Sequence, residues 1–339
     1  MMKLIINGRF LSQQPTGVQN YAAGIVKALL KLGMEMEIVC PPGTIAHPAI
    51  PTKYIGYFSG FIWEQFFLPI YMCAQKGALL LNLCNSAPLF IRPQIVTIHD
   101  LAFEEKNNWF NPVFKWWYKF LIPKICKRAK LIITVSEFSK NKIIEKYGIS
   151  ESKIILAPPG IPEFKFKNDF HDYGNYILLT GANNHRKNAG SIIEKLEMLK
   201  EKGFTLVVLG GNSKIFRSIP IQNNDSLIYL NPVSFSEYCS LVKNAKALIY
   251  PSIYEGFGIP VLESLCLGTP VIASDIPVFK ENFGTLPIYF EPGEPESFAK
   301  ALDALSGKKI SAADIEFLKN KFNFDISAHL ISDSIKTIL

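Results

Sequence analysis

The chain has 339 residues, 48% of them apolar and 19% charged. That suits two globular domains with real cores and excludes a disordered or low-complexity chain. Its net charge of +7 is uneven, with 18 Lys and Arg against 10 Asp and Glu in residues 1–164, and 18 against 19 in residues 165–339. The front half alone is therefore expected to meet something anionic: a membrane face, a nucleic acid or a phosphorylated ligand.

Short β-type runs alternate with helical patterns, the signature of parallel α/β architecture. Leu4-Ile5-Ile6 predicts a first strand, followed by a loop over 13–20 that contains Gly17. A helix is expected from about residue 21 to 32, with Ala22, Ile25, Val26, Leu29 and Leu30 on one face. Strands are expected at 37–40, at 94–98, where the run ends in His99-Asp100, and at 131–135. Ser136 is placed to cap a helix over 137–147. The most apolar stretch, 58–84, is broken by Glu64, Gln65, Pro69, Gln75 and Lys76, so no membrane-spanning helix is expected. The few apolar residues before Asn7 are too short a run for a signal-peptide core. Six cysteines show no C-x-x-C pair, and Cys40, Cys84, Cys126 and Cys266 lie in apolar runs as buried free thiols would. A cytoplasmic protein, held at the inner face of the plasma membrane, fits these features.

Residues 158–166 carry three prolines and a glycine and read as a linker. A second α/β series follows, with strands at 176–180, 206–209 (ending in Gly210-Gly211), 247–250 and 270–273, and helices at 188–202 and 260–267. The fold class is α/β, two facing Rossmann-like domains over 1–162 and 163–325, with 326–339 expected as a helix packed back on the first. Ligands of open parallel sheets bind at the carboxyl ends of strands, so the space between the sheets is the expected site.

The segment 250–275 carries most of the chemistry. A strand runs into Glu255-Gly256-Phe257-Gly258, and Pro260 suits the first turn of the next helix. Such a turn offers backbone N–H groups at a helix N-terminus to a phosphate or a sugar hydroxyl. Glu255 and Glu263 flank it, and carboxylates beside an anion site make sense as acceptors for hydroxyl groups. A bare Gly-x-Gly turn is also compatible with a structural role. It resembles the dinucleotide fingerprint as well, but the third glycine is absent.

With both glutamates and the proline in place, 250–275 resembles the E-x7-E donor signature of the family 4 retaining glycosyltransferases, which have a GT-B fold. Residues 16–29 resemble that family's N-terminal glycine loop and helix, and 97–103 the His-Asp strand end of its bacterial mannosyltransferase-like members. Residues 128–143 and 153–161 resemble the approach to the hinge, 180–188 the diphosphate turn, and 276–282 a later loop. The resemblance implies that Arg186 and Lys187 neutralise the departing nucleoside diphosphate, that Glu263 holds the ribose, and that Glu255 holds the donor sugar. It further implies that Gly181, Gly256, Phe257 and Gly258 line the donor, that Gly17 approaches the diphosphate or acceptor, and that His99 lies beside the donor sugar. Asn183-Asn184-His185 departs from the family's usual stretch before Arg186, and 283–293 is also atypical.

The resemblance implies transfer of a sugar from a nucleotide-sugar donor, GDP-mannose as first choice, to a lipid-linked oligosaccharide or saccharide acceptor with retention, as in O-antigen or capsule assembly. No cofactor and no metal are expected, because no Asp-x-Asp occurs and cationic side chains can hold the diphosphate. Residues 106–130 interleave Lys and Arg with three of the four tryptophans. Two readings of them stand side by side: peripheral membrane contact, or a helix with an aromatic core face and a solvated basic face. No nucleic-acid motif accompanies the charge. The alternatives from other classes are a dinucleotide-dependent oxidoreductase and a non-catalytic sugar-nucleotide-binding protein.

Overall fold

Parallel strands covered on both faces need near-continuous apolar runs, and the chain supplies them as LIIN, LLLN, LIIT, YILLT, ALIY and VIAS. The computed structural model describes residues 3–13, 16–45, 49–107, 109–182, 184–210 and 226–338. The chain divides into two units, Met1–Gly160 with Phe322–Leu339, and Ile161–Lys321. Asn183, Gly211 and His47 lie outside the described residues.

Among its described residues the first unit holds seven parallel strands: β1 (Leu4–Asn7), β2 (Met36–Cys40), β3 (Thr52–Tyr54), β4 (Leu79–Asn82), β5 (Gln94–Thr97), β6 (Leu131–Thr134) and β7 (Ile154–Leu156). Their order is β3-β2-β1-β4-β5-β6-β7, so the winding reverses between β1 and β4. Strand register places two core clusters side by side on one face of this sheet. Ile5, Val39 and Leu80 pack with Trp63, Leu68 and Met72. Val96, Ile98 and Ile132 pack with Leu121, Ile122 and Ile125 of a long helix. Helix α1 (Gly17–Lys31) begins four residues before the sequence pattern suggested. The Thr16 N–H donates to Gln19 Oε1 at 3.1 Å, a cap that starts the helix ahead of its first apolar position. Helix α2 is Pro112–Arg128, and α3 is Glu137–Tyr147, capped by Ser136 Oγ accepting from the Ser139 N–H at 3.1 Å.

Among its described residues the second unit has six parallel strands: β8 (Tyr176–Thr180), β9 (Thr205–Leu209), β10 (Leu227–Leu230), β11 (Ala247–Tyr250), β12 (Val271–Ser274) and β13 (Ile288–Phe290). The order β10-β9-β8-β11-β12-β13 reverses between β8 and β11. Its helices include α4 (Phe235–Asn244), α5 (Ile259–Cys266) and α6 (Pro277–Phe283). One structural finding departs from expectation: residues 188–202 are not one helix. A 3-10 turn, His185–Lys187, precedes two short helices, Gly190–Ile193 and Leu196–Glu201. Asn188 adopts a left-handed φ of +53°, so no helix starts there, and Lys195, at φ −102° and ψ 19°, leaves helical geometry between the two short helices.

Helix α7 (Phe324–Ile338) belongs to the first unit. The Phe324 ring lies so close to α1 that a Cβ on Gly24 would come within 2.4 Å of it. Ser327 Oγ donates to Pro158 O at 2.8 Å, fixing α7 to the end of the first chain segment. Cys40, Cys126 and Cys266 are buried as expected, while Cys84 is only partly buried and Cys239 is buried as well. Among the described residues, no helix is long and apolar enough to cross a membrane.

Candidate functional site

In an open parallel sheet the loops diverge where the strand order reverses, and the gap at the strand carboxyl ends receives ligands. In the second unit that point lies between β8 and β11, which pair as Leu179↔Ile249. The loop after β8 carries Gly181, Arg186 and Lys187, and the loop after β11 carries Glu255 through Gly258. Topology thus brings together two segments some seventy residues apart. The Ile253 N–H donates to Arg186 O at 3.1 Å and ties the loops together. Asn184 Oδ1 accepts from the Arg186 N–H at 3.0 Å and shapes the turn that aims the basic pair.

Glu255 is the hub. Its Oε1 accepts from Tyr250 Oη and Ser252 Oγ, each at 3.0 Å, and Arg186 NH1 stands 3.5 Å from Oε2. Lys187 Nζ donates to Tyr250 Oη at 2.7 Å. Burial alone would raise the Glu255 pKa, but Arg186, Lys187 and the two hydroxyl donors outweigh it and hold the carboxyl below its ordinary value. Burial dominates at Lys187 and lowers its pKa, against the pull of Glu255. The site therefore keeps a buried carboxylate beside two cations, an arrangement suited to a ligand with both hydroxyl and phosphate groups.

Glu263 lies on α5, buried, with Oε2 accepting from Tyr238 Oη of α4 at 2.9 Å. Burial pushes its pKa up to about 7, more than the Tyr238 hydrogen bond and Lys187 pull it down. The two glutamates of one motif thus sit in opposite electrostatic states.

The glycines have reasons within the protein itself. Gly258, the N-cap of α5, has φ of +105°, and a Cβ there would stand 2.7 Å from the Phe279 ring. Gly181 has φ of +75°, and a Cβ would lie 2.4 Å from Lys187 Cδ, so a side chain there would displace the lysine. Gly256 and Phe257 are buried. Phe257 packs edge-on against Phe283, and its carbonyl accepts from Asn282 Nδ2 at 3.0 Å. His185, beside Arg186, is exposed.

Gly17 and His99 belong to the first unit. Gly17 is exposed at the start of α1. His99 follows β5 and is buried, and burial lowers its pKa. A carbonyl can only accept, so His99 Nε2–H donates to Leu83 O at 3.0 Å and leaves Nδ1 as an acceptor. Tyr21, one turn along α1 from Gly17, meets the imidazole edge-on at 4.8 Å. Asp100 Oδ1 accepts from the Ala102 N–H at 3.0 Å and acts as a loop cap.

Sequence reasoning missed Tyr250, Ser252 and Tyr238, which read as ordinary strand and helix residues. It also missed a buried polar array at the first unit's own reversal point, between β1 and β4. Arg9 NH1 donates to Glu64 Oε2 at 2.5 Å and to Ser86 Oγ at 2.9 Å, and Asn7 Nδ2 donates to Glu64 Oε1 at 2.8 Å. Glu64 sits in a π-helical turn, Trp63–Phe67, a distortion that often marks a functional position. The usable signal was a single carboxylate inside an apolar run, because such a group is buried only with a partner.

The aromatic segment divides between two faces. Tyr118 and Trp117 face inward against Phe61, while Trp116 is 67% exposed and stacks on Phe120. The segment whose Phe61 packs on α2 leaves Phe58, Ile62, Phe66 and Ile70 exposed at every fourth position. Among the described residues no group of three His, Cys, Asp or Glu side chains is arranged to hold a metal ion.

Two family models match the chain: "Glycosyltransferase Family 4" over residues 15–163 and "Glycosyl transferases group 1" over 160–316. The chain is 26% identical over 356 residues to the O-antigen chain mannosyltransferase RfbU of Salmonella typhimurium, spanning 97% of this chain and 98% of that one. Among solved structures, a sucrose-phosphate synthase of Thermosynechococcus elongatus superposes with TM-score 0.75 at 15% identity, covering 100% and 99% of the two chains. Anabaena HepE in complex with UDP-glucose gives 0.73 at 15% identity, covering 99% and 100%.

Proposed function

We propose, for a chain that belongs to the family 4 glycosyltransferases and has the GT-B fold, that the second unit binds a nucleotide sugar at the β8/β11 loops. GDP-mannose is the proposed donor, and a lipid-linked oligosaccharide or saccharide destined for a surface polysaccharide is the proposed acceptor. Family membership makes the chain a hexosyltransferase and sets aside the oxidoreductase alternative. The mannosyl donor and the O-antigen setting are supported by the full-length similarity to RfbU.

One observation carries the assignment of the site: Arg186, Lys187 and Glu255 converge in one hydrogen-bonded array at the topological switch point. In the proposed reaction, the bond from the anomeric carbon to the diphosphate breaks, and charge builds on the departing phosphate. Arg186 and Lys187 stabilise that charge more in the transition state than in the ground state. Glu255 accepts from hydroxyls of the sugar, and Glu263 accepts from the ribose. Front-side attack with retention fits, because the leaving phosphate can take the proton of the acceptor hydroxyl. Metal independence is proposed on the same ground, since fixed cations supply the charge that a divalent ion would otherwise bring.

Peripheral attachment to the inner face of the plasma membrane is also proposed. It is supported by the exposed Trp116 and Phe120, by the adjoining Phe58, Ile62, Phe66 and Ile70, and by nearby Lys124, whose Nζ lies over the Phe120 ring. The deciding experiment for function is turnover with GDP-mannose, UDP-glucose and dTDP-rhamnose on a polyprenyl-diphosphate saccharide, alongside thermal shift by GDP, UDP, dTDP and NAD. A stabiliser at a hundredfold excess over Kd adds ~2.7 kcal/mol, enough to rank the bases. Stabilisation by GDP alone is expected. A larger shift with NAD or UDP would overturn the donor assignment.

A further inference from the structure

Tyr250 stands at the end of β11 with its ring buried against Phe279. Its phenol oxygen lies 2.7 Å from Lys187 Nζ and 3.0 Å from Glu255 Oε1. The direction of both bonds follows from chemistry alone. An ammonium only donates and a carboxylate only accepts, so the single phenol proton goes to Glu255 and a lone pair receives Lys187. Ser252 Oγ fills the second position on the same carboxylate oxygen. The Oε2 atom is left toward Arg186.

We infer that Tyr250 is a positioning residue for sugar transfer, a neutral spacer that holds the lysine and the carboxylate near each other without letting them quench. This rests on the proposed roles of Lys187 and Glu255. A buried ammonium beside a buried carboxylate is drawn into a direct ion pair, which would cancel the two charges that a diphosphate and a sugar require. The phenol satisfies one Lys187 N–H and leaves two for an incoming phosphate. It also shares Oε1 with Ser252, which leaves Oε2 to Arg186 and keeps Lys187 off the carboxylate. Gly181 supports the same geometry, because a Cβ there would collide with the Lys187 chain.

The test is a double-mutant cycle with GDP affinity measured by calorimetry. Tyr250→Phe keeps the ring and its packing on Phe279 while removing both hydrogen bonds, so a cooperatively folded protein is expected. It should weaken GDP binding about tenfold, the size of a hydrogen bond to a charged group. Lys187→Ala should weaken it at least as much, and the double variant should bind no worse than Lys187→Ala alone, because the phenol acts through the lysine. Ser252→Ala removes a donor from the same carboxylate without touching Lys187, and should cost clearly less GDP affinity than Tyr250→Phe does.

Additive losses in the double variant would overturn the inference, as would unchanged affinity in Tyr250→Phe. If Ser252→Ala weakens GDP as much as Tyr250→Phe does, the effect is general bracing of the loop and the spacer role is refuted. If Lys187→Ala itself binds GDP normally, the assignment of the site fails first. Should Tyr250→Phe not fold, Tyr250→His, whose imidazole can still bridge the two charges, provides the second readout, and a loss of GDP affinity as large as that of Lys187→Ala overturns the spacer role.

Discussion

Glu263→Gln separates function from stability at one buried residue. The carboxyl has its pKa raised by burial to about 7, from an ordinary 4.5. The folded protein therefore holds a proton on Glu263 at pH values where the unfolded chain has lost it, and stability falls as pH rises from 4.5 to 7. Below that window the group exerts no penalty, and above it the penalty is complete. At about 1.4 kcal/mol per unit, the shift corresponds to at most about 3.5 kcal/mol of destabilisation at pH 8. Glutamine has no charge to bury and can still accept from Tyr238, but its amide N–H groups bring a loss of ~1 kcal/mol if one stays unpaired. The net expectation at pH 8 is a gain of ~2 kcal/mol, or roughly 4–8 °C in Tm for a unit of this size. At pH 5 the gain should vanish or reverse. Meanwhile GDP affinity should fall about tenfold, because a charged acceptor for ribose hydroxyls is gone. Thermal melts at pH 5 and pH 8, with calorimetry at pH 8, measure all three quantities on one protein. A Tm lowered equally at both pH values would show that Glu263 does not titrate in this window, and would refute the reasoning.

Glu255→Gln should behave oppositely. Its pKa is held below the ordinary value by Arg186, Lys187 and two hydroxyls despite burial, so it stabilises above pH 4.5 and the variant should melt lower at pH 8, with kcat reduced by about 2–4 kcal/mol of transition-state stabilisation and GDP affinity nearly kept. Arg186→Ala should lower affinity for free GDP by about 10- to 150-fold, checked by calorimetry. Arg9→Met leaves the Glu64 carboxylate buried without its cation and should destabilise the first unit by about 3–5 kcal/mol, read from chemical denaturation, while Arg9→Met with Glu64→Leu recovers most of the loss. Trp116→Glu with Phe66→Glu should abolish co-sedimentation with vesicles containing anionic lipid and leave Tm unchanged, because both side chains are exposed; retained vesicle binding would count against the membrane reading.

The sequence by itself determined the architecture. Apolar runs of four or five residues, separated by capped amphipathic helices, have few ways to bury both faces other than a covered parallel sheet. The strands 176–180 and 247–250 are legible to the residue for that reason, because their ends are marked by polar, glycine or proline punctuation. The second helical series was not: a 3.6-residue period over 188–202 says nothing of the left-handed Asn188 or of the break at Glu194-Lys195, which depend on how the turn meets the sheet. For the site, the local pattern singled out Glu255 and Glu263 beside a glycine turn in a chain that is 48% apolar, and the family resemblance added Arg186 and Lys187. Only the tertiary structure decided their states. It placed Tyr238 against one glutamate, and Tyr250, Ser252 and Arg186 against the other. Burial then raised the first pKa and neighbouring charge lowered the second. Protonation depends on what lies within a few ångströms in space, and a strand order of β8 beside β11 joins residues that sequence distance keeps apart.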